Sequence, residues 1–453
     1  GRYYLQGDSV YLQAHVTDAR HGTALAAIEP IGGAVGAPLE AMEQLRDRVM
    51  TALATLTDPR LTKWIQHASK PPTFEAYREF VTGVELHTTV NFEEGRPYFL
   101  RAAALDSTFT MPLLWAIMGH APAADSIAEA LNRRRDRLAP LDRHFLDYLT
   151  ATDGVTQLEA IRRVVEIAPG SDYLKNAGGT ALRLNRPREA IQFLLAADPE
   201  SGWLRGWTPY WNTLTAAYHL LGEHDRELEA AREGRRLHPD EGATIYYETR
   251  ALAALGRVEP ILARAEGALA AGAHMLLAVS AGELYAHGHR GAASELLGRM
   301  IQLYRGRENG RFHLARALAM AGRLDESRPI LEQLAAEDPG DVSVRVDLAV
   351  VAARRGDRER ARQIYRWLEE HGPASPMYAA YQFRDRLGLP AWHYSYGLAQ
   401  IAAALGEKAR AVELLREAAD RSLKRPLREF HANPYLEPVW DYPPFRELLR
   451  PKG

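Results

Sequence analysis

Histidine is the residue type whose spacing in this chain comes closest to a metal or catalytic site. The densest group is His287 and His289, which flank Gly288, with His274 upstream. Imidazole nitrogens bind zinc well, but a protein zinc site needs further histidines, thiolates or carboxylates to complete its ligand set. We assign no carboxylate to this pair at ligand spacing, and histidines on both sides of a turn glycine are typical of exposed loops. The spacing therefore predicts no metal site and no cofactor.

Other chemical signatures are missing from the sequence. There is no glycine-rich phosphate loop followed by Lys and Ser or Thr, no kinase catalytic loop, no dinucleotide fingerprint and no H-E-x-x-H. Cysteine is absent, which excludes disulfides, thiolate metal sites and a cysteine nucleophile. We therefore predict a non-enzymatic protein. The alternative is an enzyme whose site lies in the irregular, tryptophan-rich connector of residues 203–211.

Composition narrows the class of partner. Charged residues make up 25% of the 453 residues and apolar residues 46%, which is typical of a folded globular protein. A net charge of −2 gives no basic footprint for nucleic acid. No apolar run approaches the roughly 20 residues that span a bilayer, so we expect no membrane insertion within this chain. The first residue is Gly1 and not Met, and we expect the chain to be a piece of something longer.

The elements that position any site are helices. Residues 208–239 carry apolar side chains at helical spacing in two segments, separated by Gly222, which we expect in a left-handed conformation at a helix C-terminus. Glycine recurs in this turn position at intervals of 34, 32, 34 and 34 residues, and once more after an insertion. These turn glycines are Gly222, Gly256, Gly288, Gly322, Gly356 and Gly406. Small residues fall where first helices should cross their neighbours: Thr215, Thr249, Ala281, Ala315, Ala349 and Ala399.

A helix-turn-helix unit with a period near 34 residues resembles the tetratricopeptide repeat family. The resemblance implies a mainly α fold. About ten helix pairs would form a solenoid over residues 73–425, followed by a proline-rich cap over residues 426–453. In this family the inner surface comes from one stripe of each first helix. Carried onto this chain, the stripe comprises Tyr246, Arg250, Tyr285, Phe312, Arg316, Tyr396 and Gln400.

The stripe predicts a binding site for a protein or peptide. Aromatic and arginine side chains are frequent interface anchors, and arginine grips carboxylates through two parallel hydrogen bonds. The alternative is that the aromatic residues only fill space between helices. Some repeat domains clamp a C-terminal carboxylate with Lys and Asn, but this chain has only six lysines and departs from that pattern. That ligand is therefore not carried over.

Residues 1–70 predict a small, incomplete α+β element. Strands are expected at residues 3–5, 10–16 and 24–28. A helix is expected over residues 39–56, with apolar residues spaced to cover the sheet: Leu39, Met42, Leu45, Val49, Ala52 and Leu53. In the second strand Val10, Leu12, Ala14 and Val16 alternate on one face. We predict this strand to be an open edge, and an open edge recruits another strand. A second hypothesis is thus a structural subunit of a homopolymer, assembled head-to-tail through this strand.

The order of the parts adds a second resemblance. GRYYLQGDSVYLQAHVTDARHGTAL at the N-terminus is similar to the last strands of the small α/β domain that precedes repeats in certain bacterial multidomain regulators. Residues 187–199 and 434–449 also look like the C-terminal halves of those proteins, which include membrane-anchored serine/threonine kinases. The resemblance implies a sensor or scaffold half, located outside the membrane if the parent is a kinase. Its partner would be a protein or peptide, or another copy of the chain.

Overall fold

The computed structural model describes residues 1–57, 72–88, 92–118, 124–205, 207–239, 241–270, 274–371, 392–421 and 427–453. The chain divides into two compact units, here called unit 1 (residues 1–180 and 192–210) and unit 2 (residues 181–191 and 211–453). The predicted boundaries near residues 70–73 and 425–426 fall wholly or partly outside the described residues. Among the helices of the described part, none combines the length and apolarity needed to cross a bilayer.

Unit 1 begins with a three-stranded antiparallel sheet in the order β1-β2-β3. The strands are β1 (Arg2–Gln6), β2 (Ser9–Thr17) and β3 (Ala24–Ala34). The predicted edge position of Val10, Leu12, Ala14 and Val16 was wrong, because they lie in the central strand and β2 is paired on both sides. The reason is that β3 continues through two glycines to Ala34 and so runs along the whole of β2. Of the described strands, β1 and β3 form the outer edges.

Helix α1 (Pro38–Thr57) packs on this sheet through small side chains. A Cβ placed on Gly33 of β3 would lie 2.7 Å from Ala41 Cβ, so the helix approaches the strand more closely than larger side chains permit. The prediction that Leu39, Met42 and Leu53 cover the sheet was wrong, since they are 73%, 54% and 44% exposed. Helix-to-sheet packing here selects small residues over large apolar ones.

Seven further helices begin in unit 1, and the first six of them form three pairs along the chain. They are α2 (Phe74–Thr88), α3 (Phe92–Leu105), α4 (Met111–Met118), α5 (Ala124–Arg133), α6 (Pro140–Thr150), α7 (Gly154–Ile167) and α8 (Leu174–Arg183). The core of the first two pairs is aromatic. The ring of Phe80 lies 5.1 Å from that of Phe109 and 5.7 Å from that of Phe99, and Trp115 stands edge-on to Phe80. Offset and edge-to-face rings pack favourably beyond the area they bury.

Unit 2 continues the helix pairs. Its helices, with α9 and α10 at the division between the units, are α9 (Pro187–Leu195), α10 (Pro209–Leu220), α11 (His224–Leu237), α12 (Gly242–Ala254), α13 (Glu259–Ala270), α14 (His274–Ala286), α15 (Arg290–Tyr304), α16 (Arg311–Met320), α17 (Leu324–Glu337), α18 (Val342–Arg354), α19 (Arg358–His371), α20 (Trp392–Ala404) and α21 (Lys408–Arg421). All six predicted turn glycines have φ between 71° and 90°, which confirms the left-handed turn. The small crossing residues predicted on the first helices are at most 1% exposed. The mainly α helix-pair fold with a small N-terminal sheet is thus confirmed.

The chain ends in what we call the C-terminal segment, residues 427–453. It contains α22 (Leu427–His431), a 3-10 helix (Pro434–Val439) and α23 (Pro443–Leu449). Its apolar side chains join the core of unit 2, because Phe430, Leu436, Val439 and Phe445 are buried among residues of α18, α20 and α21. The segment is therefore an integral part of unit 2.

Candidate functional site

The C-terminal segment lies against several first helices of unit 2. Its 3-10 helix packs on α20, α21 and α14. On α14 the contact is backbone to backbone, since a Cβ placed on Gly282 would lie 2.2 Å from the carbonyl oxygen of Ala432. Glycine at position 282 therefore makes room for the chain to pass. The segment thus covers α14 and α20, two of the helices whose stripe was predicted to bind a ligand.

Polar side chains of the first helices hold the backbone and side chains of the segment. The Nδ2 atom of Asn433 donates a hydrogen bond to the Tyr396 hydroxyl at 2.6 Å. From α18, Arg354 Nη2 donates to the carbonyl oxygen of Pro434 at 2.7 Å, and its guanidinium lies 5.2 Å from the ring centroid of Tyr435. Hydrogen bonds to backbone carbonyls and a cation over an aromatic ring are contacts that a bound peptide would also use.

The far end of the segment is held by Asn185, in the turn between α8 and α9. Asn185 has φ of 57°, the left-handed conformation that glycine adopts in the later turns. Its Nδ2 atom donates to the carbonyl oxygen of Arg450 at 2.7 Å, and its own carbonyl accepts from Lys452 N at 2.6 Å. Asparagine tolerates this conformation better than most side chains and adds a donor that glycine lacks.

The predicted stripe residues lie on four first helices of unit 2, namely α12, α14, α16 and α20. Tyr246, Tyr285, Phe312, Arg316 and Tyr396 are half-buried, while Arg250 and Gln400 are buried. Of these residues Tyr396 touches the segment directly, through Asn433 and through stacking on Phe430 at 5.3 Å. The binding role of the seven residues stays a prediction.

The two predicted arginines are paired with acidic side chains of the chain itself. Arg316 binds Asp347 through both Nε and Nη2, at 2.9 and 3.1 Å, and Asp347 is fully buried. Arg250 donates from Nε to Glu227 Oε1 at 2.6 Å, and both residues are buried. A guanidinium used in this way has less capacity to grip the carboxylate of a ligand than the stripe prediction assumed.

A group of titratable side chains surrounds Arg250, which we call the histidine–glutamate cluster. Its members are His219 of α10, His224 and Glu227 of α11, Glu283 of α14, His287 directly after α14, and His431 of α22. Glu227 lies at one end, with Oε2 2.8 Å from His219 Nδ1 and 3.1 Å from His224 Nδ1. Burial by itself raises the pKa of Glu227, but Arg250 and then His219 outweigh it and hold that pKa well below its usual range. Glu227 is thus a buried carboxylate that stays ionised.

The other end of the cluster brings four side chains together. His219 Nε2 lies 3.2 Å from Glu283 Oε2, and His287 Nε2 lies 3.7 Å from the same oxygen. His431, from the C-terminal segment, places its Nε2 atom 3.1 Å from His287 Nε2. These four ligand-type atoms all lie within 4.8 Å of one another. Three imidazole nitrogens and a carboxylate oxygen at such distances are a donor set that can hold a transition metal.

Comparison with known families identifies the helix pairs. Residues 284–341 and 321–382 match the family model described as tetratricopeptide repeat. The chain contains tetratricopeptide repeats. This agrees with the left-handed glycines at Gly288, Gly322 and Gly356, which lie within the matched residues. Repeats of this type are protein-interaction scaffolds.

Three solved structures similar to the chain are the following. A tetratricopeptide repeat protein from Parabacteroides merdae ATCC 43184 is 16% identical, with a TM-score of 0.32, and the match covers 68% of this chain and 99% of that one. The P58(IPK) TPR domain is 15% identical, with a TM-score of 0.22 and coverage of 84% and 96%. The structure of Naa15/Naa10 bound to HypK-THB is 14% identical, with a TM-score of 0.27 and coverage of 82% and 56%. No curated protein sequence matches the chain.

The histidine–glutamate cluster was missed from the sequence. The interpretation of His287 as an exposed loop residue without a carboxylate partner was wrong, because its side chain is only 18% exposed and lies near Glu283. The signal was available, since Glu283 lies in the last turn of α14 and His287 follows directly after that helix, at i,i+4 spacing. No local signal marks His219 or His431, which come from distant repeats. His289 points elsewhere, with Nε2 3.1 Å from the carbonyl oxygen of Ala254, and the side chain of His274 lies outside the described residues.

Proposed function

We propose that the chain is a non-enzymatic scaffold that binds a short peptide segment of a partner protein on the first helices of unit 2. The observation that carries the proposal is the placement of the C-terminal segment. It is held there, as a ligand would be, by Arg354, which donates a hydrogen bond to the backbone carbonyl of Pro434, and by Tyr396, which accepts one from the side chain of Asn433. The segment then acts as an internal occupant of the site, and the partner peptide takes its place.

The occupant defines the chemistry of the expected ligand. Arg354 donates a hydrogen bond to the backbone carbonyl of Pro434, and its guanidinium lies over the aromatic ring of the next residue, Tyr435. Leu436 and Val439 follow as buried apolar anchors. A proline lacks a backbone N–H, so it leaves no unpaired donor against the helices. We therefore expect a partner segment with an aromatic residue after a proline and two apolar residues beyond.

A tethered occupant competes strongly with a free peptide, because its effective concentration is on the order of millimolar. The test therefore uses the full chain with a weakened segment, the double variant Asn433→Ala and Tyr435→Ala. A fluorescein-labelled peptide with the sequence of residues 432–446 is titrated into this variant and into the wild type, and binding is followed by anisotropy. We expect at least about tenfold tighter binding to the double variant, since its own segment docks less well.

The control is a third substitution in the helices, Arg354→Ala, added to the double variant. It removes the contacts to Pro434 and Tyr435 and should abolish most of the gain in peptide affinity. A peptide of the same composition in scrambled order should not bind. Equal binding of the native and scrambled peptides, or binding unaffected by Arg354→Ala, would refute the proposal.

The role implied by the second resemblance is a refinement of the same proposal. In the sensory arm of a bacterial regulator, displacement of the C-terminal segment by a partner would be the signal. A fluorophore on the terminal residue Gly453, near Arg186 in the undisturbed chain, would report this displacement. If a peptide binds without changing that fluorescence, the segment is not the element that moves.

A second candidate is self-assembly through the N-terminal sheet, and the exposure of β1 favours it. Tyr3, Tyr4 and Leu5 are 73%, 46% and 62% exposed, and β1 pairs with β2 on one side. An outer strand with exposed apolar side chains is a template for another strand. Sizing and electron microscopy of wild type and Leu5→Lys test it: assemblies that disappear in the variant support the candidate, and a monomer at high micromolar concentration excludes it.

A further inference from the structure

We propose that His219, Glu283, His287 and His431 form a binding site for one zinc-type divalent metal ion, and that this ion fastens the C-terminal segment to the first helices. The ligand atoms are the Nε2 atoms of the three histidines and Oε2 of Glu283. Glu283 Oε2 lies 3.2 Å from His219 Nε2 and 3.7 Å from His287 Nε2, and the latter lies 3.1 Å from His431 Nε2. These three distances are near the roughly 3.3 Å between ligands of a tetrahedral site with bonds of about 2.0 Å. All four atoms lie within 4.8 Å of one another.

Two of the four ligand atoms lack a hydrogen bond among the described residues. His219 Nε2 and Glu283 Oε2 are buried, and although they lie 3.2 Å apart, they are not aligned as donor and acceptor. A buried polar atom without a partner is costly, and native structures rarely leave one without a reason. A metal ion between the two atoms would satisfy both at once.

A second carboxylate sets the orientation of His219. Glu227 Oε2 lies 2.8 Å from Nδ1 of this imidazole, which favours a proton on Nδ1, so a metal ion would bind at Nε2 in place of the proton that the metal-free imidazolium carries there. Arg250 holds the other oxygen of Glu227 at 2.6 Å. A carboxylate behind a metal-binding histidine is a recurring feature of zinc sites, where it fixes the ring and strengthens the ligand.

The donor set also indicates the class of metal. Three imidazoles with a single carboxylate suit zinc, cobalt or nickel, whereas calcium and magnesium require mainly oxygen ligands. The chain contains no cysteine, so thiolate-dependent sites for iron–sulfur clusters do not compete. Zinc, which accepts four ligands in tetrahedral arrangement, fits the number and the spacing best.

The origin of the ligands gives the ion its effect. His219 belongs to α10 and Glu283 to α14, and His287 lies directly after the end of α14, so three ligands are held by first helices and the turn that follows one of them. The fourth, His431, is the last residue of α22 in the C-terminal segment. A bound ion therefore links the segment to the helices directly before the residues that occupy the proposed peptide site. The site itself rests on this geometry alone, while its effect on peptide access rests on the proposed function.

The first experiment measures the metal with the full chain. Protein stripped with a chelator is titrated with zinc by calorimetry, and cobalt is added to a second sample to record its visible absorption. We expect one zinc per chain and the intense bands of four-coordinate cobalt. Glu283→Gln and His431→Ala should each weaken zinc binding by about 100-fold or more, because loss of even a supporting residue typically costs 10- to 100-fold.

His289→Gln is the matched control, since it flanks the same turn glycine and glutamine can keep the hydrogen bond to Ala254. It should bind zinc like the wild type. Circular dichroism verifies that each variant is folded. Weak binding of several ions that Glu283→Gln leaves unchanged would indicate adventitious surface histidines and overturn the site. So would the absence of tetrahedral cobalt bands in folded wild-type protein.

The second experiment tests the fastening. Hydrogen exchange of residues 427–449 is compared with and without zinc, and we expect at least about tenfold slower exchange with zinc in the wild type but not in His431→Ala. Zinc binding without this protection would overturn the fastening role. Failure of the proposed function looks different: the peptide of residues 432–446, which lacks His431, would not bind, while zinc binding would persist.

Discussion

Each unit buries a histidine, and the two are held in opposite charge states. In unit 1, His87 lies among aromatic rings, 4.9 Å from that of Trp115, and burial together with Lys175 lowers its pKa to about 3. In unit 2, burial also disfavours the charge of His219, but Glu283 and then Glu227 outweigh it and raise the pKa of His219 to about 9. Both side chains are almost inaccessible to solvent. The neighbours, and not the depth, decide the charge of a buried imidazole.

The two environments stabilise the helix pairs in different ways. The aromatic cluster of unit 1 gains from apolar area and ring packing, and each ring contributes separately. The ionic contacts of unit 2 must overcome the desolvation of every charge, so they are favourable only as a complete set. We therefore expect the ionic cluster to respond to single changes more sharply, and to be rescued by paired changes.

The largest expected effect comes from Arg250→Ala, which leaves Glu227 as a buried charge without its cation. We expect a loss of about 3–5 kcal/mol in the stability of unit 2. Hydrogen exchange resolved to α10–α14 assigns the loss to this unit, and Arg236→Ala, in an exposed pair with Glu233, should cause no measurable change. The double variant Arg250→Met with Glu227→Leu should recover most of the loss. A double variant as unstable as the single one would contradict the ionic interpretation.

Phe80→Ala is the counterpart in unit 1. Phe80 is fully buried among Phe99, Phe109 and Trp115, and truncation of a buried phenylalanine costs about 3–5 kcal/mol through lost burial and the cavity that remains. Exchange in α2–α4 should accelerate while α10–α14 stay unchanged. Since no charge is involved, the loss should not depend on pH between 6 and 8. A clear pH dependence of the loss would show that the cluster is not purely apolar in its energetics.

The third expected effect is the pH dependence that His87 confers. Its folded-state pKa of about 3 lies below the usual 6.5, so between these two pH values His87 is protonated in the unfolded chain and neutral in the folded chain. Stability is therefore present above pH 6.5 and falls by up to about 1.4 kcal/mol per pH unit as the pH decreases below it. As the pH falls from 6.5 to 4, the free energy of unfolding of His87→Phe should therefore rise relative to that of the wild type, by up to about 1.4 kcal/mol per pH unit.

The comparison with a variant is necessary because Asp142 acts in the opposite sense. Burial raises the pKa of Asp142 to about 6, so its contribution improves as the pH falls over the same range. Asp142 is present in both proteins, so its contribution cancels when the free energy of unfolding of the wild type is subtracted from that of His87→Phe. His15→Thr, at an exposed histidine of β2, serves as the control and should run parallel to wild type. Parallel curves for His87→Phe would mean that His87 is protonated in the folded state.

The smallest expected effect concerns the passage of the C-terminal segment over α14. Gly282→Ala places a methyl group against the carbonyl oxygen of Ala432 and should cost about 1–3 kcal/mol through displacement of the segment. Gly298→Ala in α15 is the matched change, because a Cβ there meets nothing within 4 Å. It should stabilise the helix by about 0.5–1 kcal/mol. We expect faster proteolysis at residues 427–449 in Gly282→Ala but not in Gly298→Ala. Equal rates of proteolysis in the two variants would show that the segment does not pass closely over Gly282.

Helix pairing was predictable because its signals are local. A glycine after each first helix and small residues at the crossings lie within one repeat, and the left-handed φ values of Gly222 and Gly356 follow from them. The face of α1 was not predictable in this way. Apolar spacing pointed to Leu39 and Met42, whereas the close approach of Gly33 to Ala41 selected a face of small residues. That choice depends on the sheet as well as on the helix.

The sequence alone determined that this chain forms helix pairs, because turn conformation and amphipathic spacing are properties of about 34 consecutive residues. Only the tertiary structure decided that His219, Glu283, His287 and His431 meet. Glu283 and His287 are neighbours at the end of α14, but the other two come from a different repeat and from the C-terminal segment, whose path over Gly282 and Arg354 is set by packing. Ligand atoms 3–4 Å apart arise from the way α10, α14 and the segment pack together, and no local pattern encodes that arrangement.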